Sequence, residues 1–321
     1  MACNRQENYN ALHEMTSGGV GCIHAAMKWY GEMAQEHFAM TKEWHLAHGR
    51  SLRLGDKSVI MGILNVTPDS FSDGGHHNEF EKAVDVAGQM LADGATIIDV
   101  GGESTRPGAA AVNSETEIAR VVPIIEALVE KYGCIISVDT YRAATAQAAV
   151  NAGAHIVNDV WGLQREPEIA HVAKSSGAGL VIMHTSRDRP VLADVIEDQF
   201  SFLNVSLDIA KKASIEDSRI VLDPGFGFGK NKDEDVALLA RAGELQKFGF
   251  PVLVGTSRKR FIGGMTGRDN PLDRDIGTAA TSVALRLAGA DIFRVHNVAF
   301  NRDALAVADD ILQCRRSENR K

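Results

Sequence analysis

Eight short apolar runs recur along this chain, and each reaches a polar residue at its end. They are VIMGILN (59–65), TIIDV (96–100), IISVD (135–139), HIVND (155–159), LVIMH (180–184), RIVLD (219–223), PVLVGTS (251–257) and DIFRVH (291–296). Each has the length of a strand, is rich in Val and Ile, and is apolar at successive positions. Strands covered on both faces, as in a parallel sheet, read this way. Helical stretches lie between them. EFEKAVDVAGQMLADG (79–94) puts Phe80, Val84, Ala87 and Leu91 on one face. In SETEIARVVPIIEALVEKYG (114–133), Ser114 and Glu117 read as a capping box. The Ala-rich stretches 141–153 and 277–291 suit helices packed closely on a sheet. Gly-Ala recurs between helix and strand in DGATIIDV, NAGAHIVND, SGAGLVIMH and LAGADIFRVH, and Gly ends a helix by turning left-handed. Eight strand–helix units over about 250 residues predict a single-domain α/β fold, a (β/α)8 TIM barrel. A doubly wound open sheet is the runner-up, but no dinucleotide fingerprint is present.

Residues 1–43 fall outside the eight units and read as a short N-terminal extension of unknown role. GCIHAAMKWYGEMAQEHFAM within them has a helical pattern. His24, His37, His45 and His48 are scattered, with no Cys or acid completing a metal-ligand spacing, so they read as solvated or packing histidines. WHLAHGRSLRLGDKS (44–58) is expected to form a hairpin that closes the barrel floor, the barrel domain runs over 44–316, and RSENRK (316–321) reads as a frayed tail. A net charge of -8 without a long basic run argues against a nucleic-acid surface. The four cysteines are far apart and form no CxxC pair, which suggests reduced thiols in a cytoplasmic protein. The polar N-terminus lacks the apolar core of a signal peptide. No apolar run approaches the roughly 18 residues of a membrane span.

In a barrel of this kind the chemistry lies at the C-terminal ends of the strands. That rim reads Asn65, Asp99, Asp139, Asn158 with Asp159, His184, Asp223, Ser257 with Lys259, and Arg294 with His296. Bland readings exist for single members. Asp139 or Thr140 could cap a helix, Asp159 could hold a turn, and His184 could be a satisfied buried histidine. A whole ring of such residues needs compensation when buried, and suits a small polar ligand. Two glycine-rich loops, NVTPDSFSDGG (65–75) and GGESTRPGA (101–109), read as lids over this rim. DPGFGFGK (223–230) fails both phosphate-loop patterns, so a nucleotide site is rejected. Ser257, Arg258, Lys259 and Arg260 gather positive charge where a helix begins, an expected anion site unless Arg258 and Arg260 are only a solvated cap.

MGILNVTPDSFSDGG (61–75), IIDVGGESTRPGA (97–109), SVDTYRA (137–143), IVNDVWG (156–162), VLDPGFGFGK (221–230), GTSRKRF (255–261) and RVHNV (294–298) together resemble the dihydropteroate synthase family, in the family's order and over residues 44–312. The first two stretches are the specific ones. The resemblance implies a transferase of folate biosynthesis. It condenses 7,8-dihydropterin-6-ylmethyl diphosphate with 4-aminobenzoate, giving 7,8-dihydropteroate and diphosphate, and it is the sulfonamide target. It implies a pterin pocket of Asp139, Asn158, Asp223, Lys259 and Arg294, with Mg2+ on Asn65 and the diphosphate near Thr105, His296 and Asn65. The 4-aminobenzoate would meet Phe71, Thr105, Pro107, Ser257 and Arg260. Arg260 stands where many family members have Ser. Catalysis would fall to Asp139, Lys259, Arg106 and Asp73, the last two meeting across the site as the loops order. The mechanism implied is dissociative, with Asp139 stabilising a cation at the pterin methylene. The resemblance also implies a homodimer through the late helices. The rival readings are a methyltetrahydrofolate-dependent corrinoid methyltransferase domain, which has no use for the two diphosphate loops, and a silent pterin-binding paralogue, which would be expected to lose a rim residue.

Overall fold

A computed structural model describes residues 42–67, 75–103 and 112–318. The chain enters through an antiparallel hairpin, β1 (Lys42–His45) with β2 (Ser51–Leu54), as expected for 44–58. Eight parallel strands follow: β3 (Val59–Asn65), β4 (Ile97–Gly101), β5 (Ile135–Asp139), β6 (Ile156–Asp159), β7 (Gly179–Met183), β8 (Ile220–Asp223), β9 (Leu253–Val254) and β10 (Ile292–Val295). They pair in the order β8-β7-β6-β5-β4-β3-β10-β9. A parallel bridge between Leu222 and Val252 joins the two ends of that order, so the sheet closes into the expected (β/α)8 barrel.

The helices are α1 (Gly75–Ala92), α2 (Ser114–Tyr132), α3 (Ala143–Asn151), α4 (Glu168–Ser176), α5 (Val195–Lys212), α6 (Lys232–Arg241), α7 (Arg260–Thr266), α8 (Asp275–Leu287) and α9 (Val298–Glu318). Three local expectations need correction. The cap of α2 is Asn113, whose side chain accepts the Thr116 amide, not a Ser114–Glu117 box. Glu117 is buried and spends its carboxylate on Thr140, Thr145 and Arg142. The seven-residue run 251–257 gives only a two-residue strand, because Gly255 onward already leaves the sheet for the site. The tail read as frayed from 316 is helical through Glu318, with Arg316 donating to the Gly55 carbonyl.

The pleat decides what faces inward. Successive side chains on a strand alternate between the lumen and the helices. One lumen layer takes Met61, Ile97, Ile135, Ile156, Val181, Val221, Leu253 and Ile292, one residue from each strand of the barrel. Trp44, Leu46 and Leu54 of the hairpin pack into the same cluster from below. The Trp44 indole N–H donates to the Arg219 carbonyl at 2.9 Å. A Cβ on Gly179 would lie 2.5 Å from Leu46 Cδ2 and 3.1 Å from the Trp44 ring, so the bare glycine lets the plug seat this closely. The opposite strand faces, with Ile98, Val100, Ile136, Val138, Val157, Leu180 and Ile182, bury against the helices.

Candidate active site

Two residues above the apolar layer, on the same lumen-facing positions, the chemistry changes. Ile97 is followed by Asp99, Ile135 by Ser137 and then Asp139, Ile156 by Asn158, Val221 by Asp223 and Ile292 by Arg294. Parallel register puts Asp99 beside Ser137 and Asp139 beside Asn158. Arg294 binds them together: its Nε donates to Asp99 Oδ2 and its Nη2 to Asp139 Oδ2, both at 2.6 Å. Asn158 Nδ2 donates to Asp99 Oδ2 at 3.3 Å. Opposite, Lys259 donates to the Phe226 carbonyl and holds its ammonium 4.6 Å from the Phe228 ring centre.

Burial sets the charges. It pushes the Asp139 carboxyl up to about 7, with Arg294 opposing and Asp99 adding to the rise. Burial also raises Asp223, against the pull of Lys259 and the Gly225 amide. The Lys259 ammonium is pushed down to about 8 by burial, which Asp223 and Asp235 counter. Burial works against the charge on Arg294, but Asp99 and Asp139 more than offset it, so the guanidinium stays firmly protonated.

Three buried polar atoms at this level have no hydrogen-bond partner among the described residues: Asp99 Oδ1, Ser137 Oγ and Asn158 Oδ1. An unpaired buried acceptor costs about 1–3 kcal/mol, and three on adjacent strands mark a surface built to receive donors from a ligand.

The remaining residues expected at the site divide clearly. Ser257 and His296 lie together, Oγ to Nδ1 at 2.9 Å, with the His296 amide donating back to Ser257 Oγ. Asn65 and Asp139 flank Gly101, where an added Cβ would lie 3.6 Å from Asn65 Oδ1 and 3.8 Å from Asp139 Oδ2. Arg260 is exposed at the first position of α7. Arg258 takes the bland reading, with its guanidinium on the Asp275 carboxylate at 2.6 and 2.8 Å. Asp159 is a turn anchor that accepts the amides of Trp161 and Leu163. His184 is fully buried on Asp198 and does not face the lumen, where Met183 takes the inward position. Phe71, Asp73, Thr105, Arg106 and Pro107 lie outside the described residues. Asp99 belongs with the core of the site although only its place at a strand end singled it out. Counting by two from Ile97 finds it. Among the described residues no group of three or more His, Cys, Asp and Glu side chains could hold a metal.

Residues 61–296 match the family described as pterin binding enzyme. The chain is 44% identical over 266 residues to the dihydropteroate synthase of Bacillus subtilis, covering 83% of this chain and 92% of that protein. The structure of Xanthomonas albilineans dihydropteroate synthase with 4-aminobenzoic acid superposes with a TM-score of 0.80 at 43% identity, covering 84% of this chain and 98% of that one. A second structure of that enzyme, in complex with 7,8-dihydropteroate, gives a TM-score of 0.75 at 37% identity and covers 83% and 98% of the two chains. Barrel, buried charge ring and sequence therefore agree: this chain belongs to the dihydropteroate synthase family of pterin-binding enzymes.

Proposed function

We propose that this chain condenses 7,8-dihydropterin-6-ylmethyl diphosphate with 4-aminobenzoate, giving 7,8-dihydropteroate and diphosphate. The observation that carries this is the pairing of unmet buried acceptors with partly buried cations in one lumen. Asp99 Oδ1 and Asn158 Oδ1 wait for donors beside Arg294, which is held on Asp99 and Asp139, and Lys259 stands opposite. A pterin edge offers an exocyclic amine and ring N–H groups to carboxylates, and its ring acceptors suit a lysine. In this reading Asp223, Asp139 and Asn158 hold the pterin, Lys259 bonds its acceptors and Arg294 lies against its face.

The diphosphate sits near Asn65, Thr105 and His296. Mg2+ keeps several waters and favours substrate phosphates over an all-protein cage, so a single carboxamide oxygen from Asn65 fits a metal that arrives with the diphosphate. There it would neutralise charge on the leaving group. Departure of the diphosphate leaves a delocalised cation at the pterin methylene. The Asp139 carboxylate, close to Arg294, favours that cation over the neutral ground state. The 4-aminobenzoate amine then attacks within walls of Phe71, Thr105, Pro107, Ser257 and Arg260, beneath Asp73 and Arg106. No covalent enzyme intermediate is needed.

The corrinoid methyltransferase reading is not favoured. The curated relatives are dihydropteroate synthases. Exposed Ile276, Phe300, Val307 and Ile311 on α8 and α9 support a homodimer through the late helices. The deciding experiment is incubation with both substrates and Mg2+ while diphosphate release is followed. No release above a heat-denatured control would sink the proposal.

A further inference from the structure

We propose that Lys230 is a positioning residue, holding the turn after β8 so that the Asp223 carboxylate is aimed at the pterin. The inference rests on the pterin role given to Asp223 above. Its evidence is a continuous chain of buried and partly buried hydrogen bonds that the reaction itself does not use.

The chain starts at the carboxylate. Asp223 Oδ1 accepts the Gly225 amide at 2.7 Å, which fixes its direction. Gly225 is left-handed, at φ 63°, and a Cβ there would lie 1.9 Å from the His184 carbonyl oxygen. The turn is thus pressed onto the end of β7. The Gly225 carbonyl accepts the Lys230 ammonium at 2.9 Å, and the same ammonium sits 2.9 Å from His184 Nδ1. His184 Nε2 is 2.8 Å from Asp198 Oδ2. Arg189 Nη2 also lies 2.9 Å from Nε2, but the Lys230 ammonium only donates and the Asp198 carboxylate only accepts, which assigns the lone pair to Nδ1 and the proton to Nε2. Burial pushes the imidazole down to about 4, which keeps it a neutral acceptor. Asp198 is in turn held by Arg189 and by the Leu192 amide at 2.8 Å. One path of hydrogen bonds therefore runs from Arg189 through Asp198, His184, Lys230 and Gly225 to Asp223.

A leucine or methionine in place of Lys230 would fill the space but leave the Gly225 carbonyl and His184 Nδ1 without this donor. Burying an ammonium here is costly. Burial and nearby Lys259 push Lys230 down to about 7, against the pull of Asp235, Asp223 and Asp198. A cost of that kind beside a binding carboxylate is the mark of a group kept for orientation. Lys259 grips the next carbonyl, that of Phe226, from the other side. The two lysines thus clasp successive carbonyls of one turn, one facing the lumen and one behind the wall.

The test uses the full chain with Lys230→Met and Lys230→Arg. Lys230→Met is expected to raise KM for the pterin diphosphate by about tenfold to a hundredfold while 4-aminobenzoate KM stays within about twofold. Lys230→Arg is expected to recover much of the loss. Equal rises for both substrates, or an unchanged pterin KM, would overturn the inference. A second readout needs no substrate: carboxyl NMR of Asp223 in the unliganded chain. Its titration midpoint should move up in Lys230→Met, because a nearby cation and an ordered amide donor are weakened together. An unmoved midpoint would also overturn it. Wild-type chain that releases no diphosphate would instead overturn the proposed activity, leaving the Asp223 titration to decide on Lys230. If Lys230→Met does not fold, Lys230→Gln, which keeps a neutral donor for Gly225, carries the same measurements.

Discussion

Asp223 and Lys259 face the same heterocycle from neighbouring strand ends in the proposed complex. Removing either charged partner should weaken pterin binding by about 2–4 kcal/mol. Calorimetric titration of Lys259→Ala and Asp223→Asn checks this, and unchanged affinity in both would remove them from the pocket. Asp139, held near 7, is ionised in most molecules only above that pH. The carboxylate is the form proposed to stabilise the methylene cation, so kcat should fall as pH drops below about 7. Asp139→Asn should lower kcat and erase that limb. An identical acid limb in the variant would assign it to another group. His155 has a different role. Its Nδ1 accepts the Ile136 amide at 3.2 Å, and burial, with the charges of His48 and Arg50, pushes it down to about 4. The unfolded imidazole binds a proton below about 6.5, the folded one only near 4. Its contribution to stability is therefore complete above pH 6.5 and is lost as pH falls toward 4. His155→Asn keeps an acceptor for Ile136 without the titration. Between pH 6.5 and 4 the wild type should lose about 2–3 kcal/mol more than the variant, read from denaturant unfolding at each pH. Superimposable pH dependences would refute it.

At the scale of elements, the eight strands were legible because both faces are covered and the apolar runs are continuous. The lumen residues were read from the polar ends of those runs, although Asp159 and His184 at the same ends turned out to hold a turn and a buried ion pair. The cap of α2 was not legible. Asn113 and Ser114 are both good caps, and what excluded a Ser114–Glu117 box was the distant pull of Arg142, Thr140 and Thr145 on Glu117. The brace between α8 and α9 was equally hidden. Arg286, nearly fully buried, donates to Asp309 at 2.7 Å and to the Ala290 and Gly55 carbonyls at 3.0 Å. Asp309 also accepts the amide and hydroxyl of Ser58. No pattern in one segment reveals a bond between segments that far apart. Arg286→Ala leaves the partly buried Asp309 carboxylate with Ser58 alone and the Ala290 carbonyl without its guanidinium donor, and should cost about 3–5 kcal/mol in denaturant unfolding. A loss under about 1 kcal/mol would mean that water replaces the guanidinium.

For the whole molecule, the barrel supplies every described residue of the site from 65 onward. Deleting residues 1–40 should therefore leave kcat within about twofold, since the eight strand–helix units that build such a site remain complete. A folded truncation with most of its turnover gone would show that the segment contributes to the chemistry. No helix among the described residues is long and apolar enough to cross a membrane. The plug of Trp44, Leu46 and Leu54 has a kinetic consequence. Packed beneath the layer of eight side chains, it backs a floor those side chains already close, so in the proposed complex both substrates use the opposite rim, as in a blind shaft. Traffic through such a shaft is last in, first out. A pterin seated at Asp223 must arrive before anything lodged nearer the mouth and must leave after it. An excess of 4-aminobenzoate should then obstruct the pterin, slowing turnover by occupancy of the passage alone.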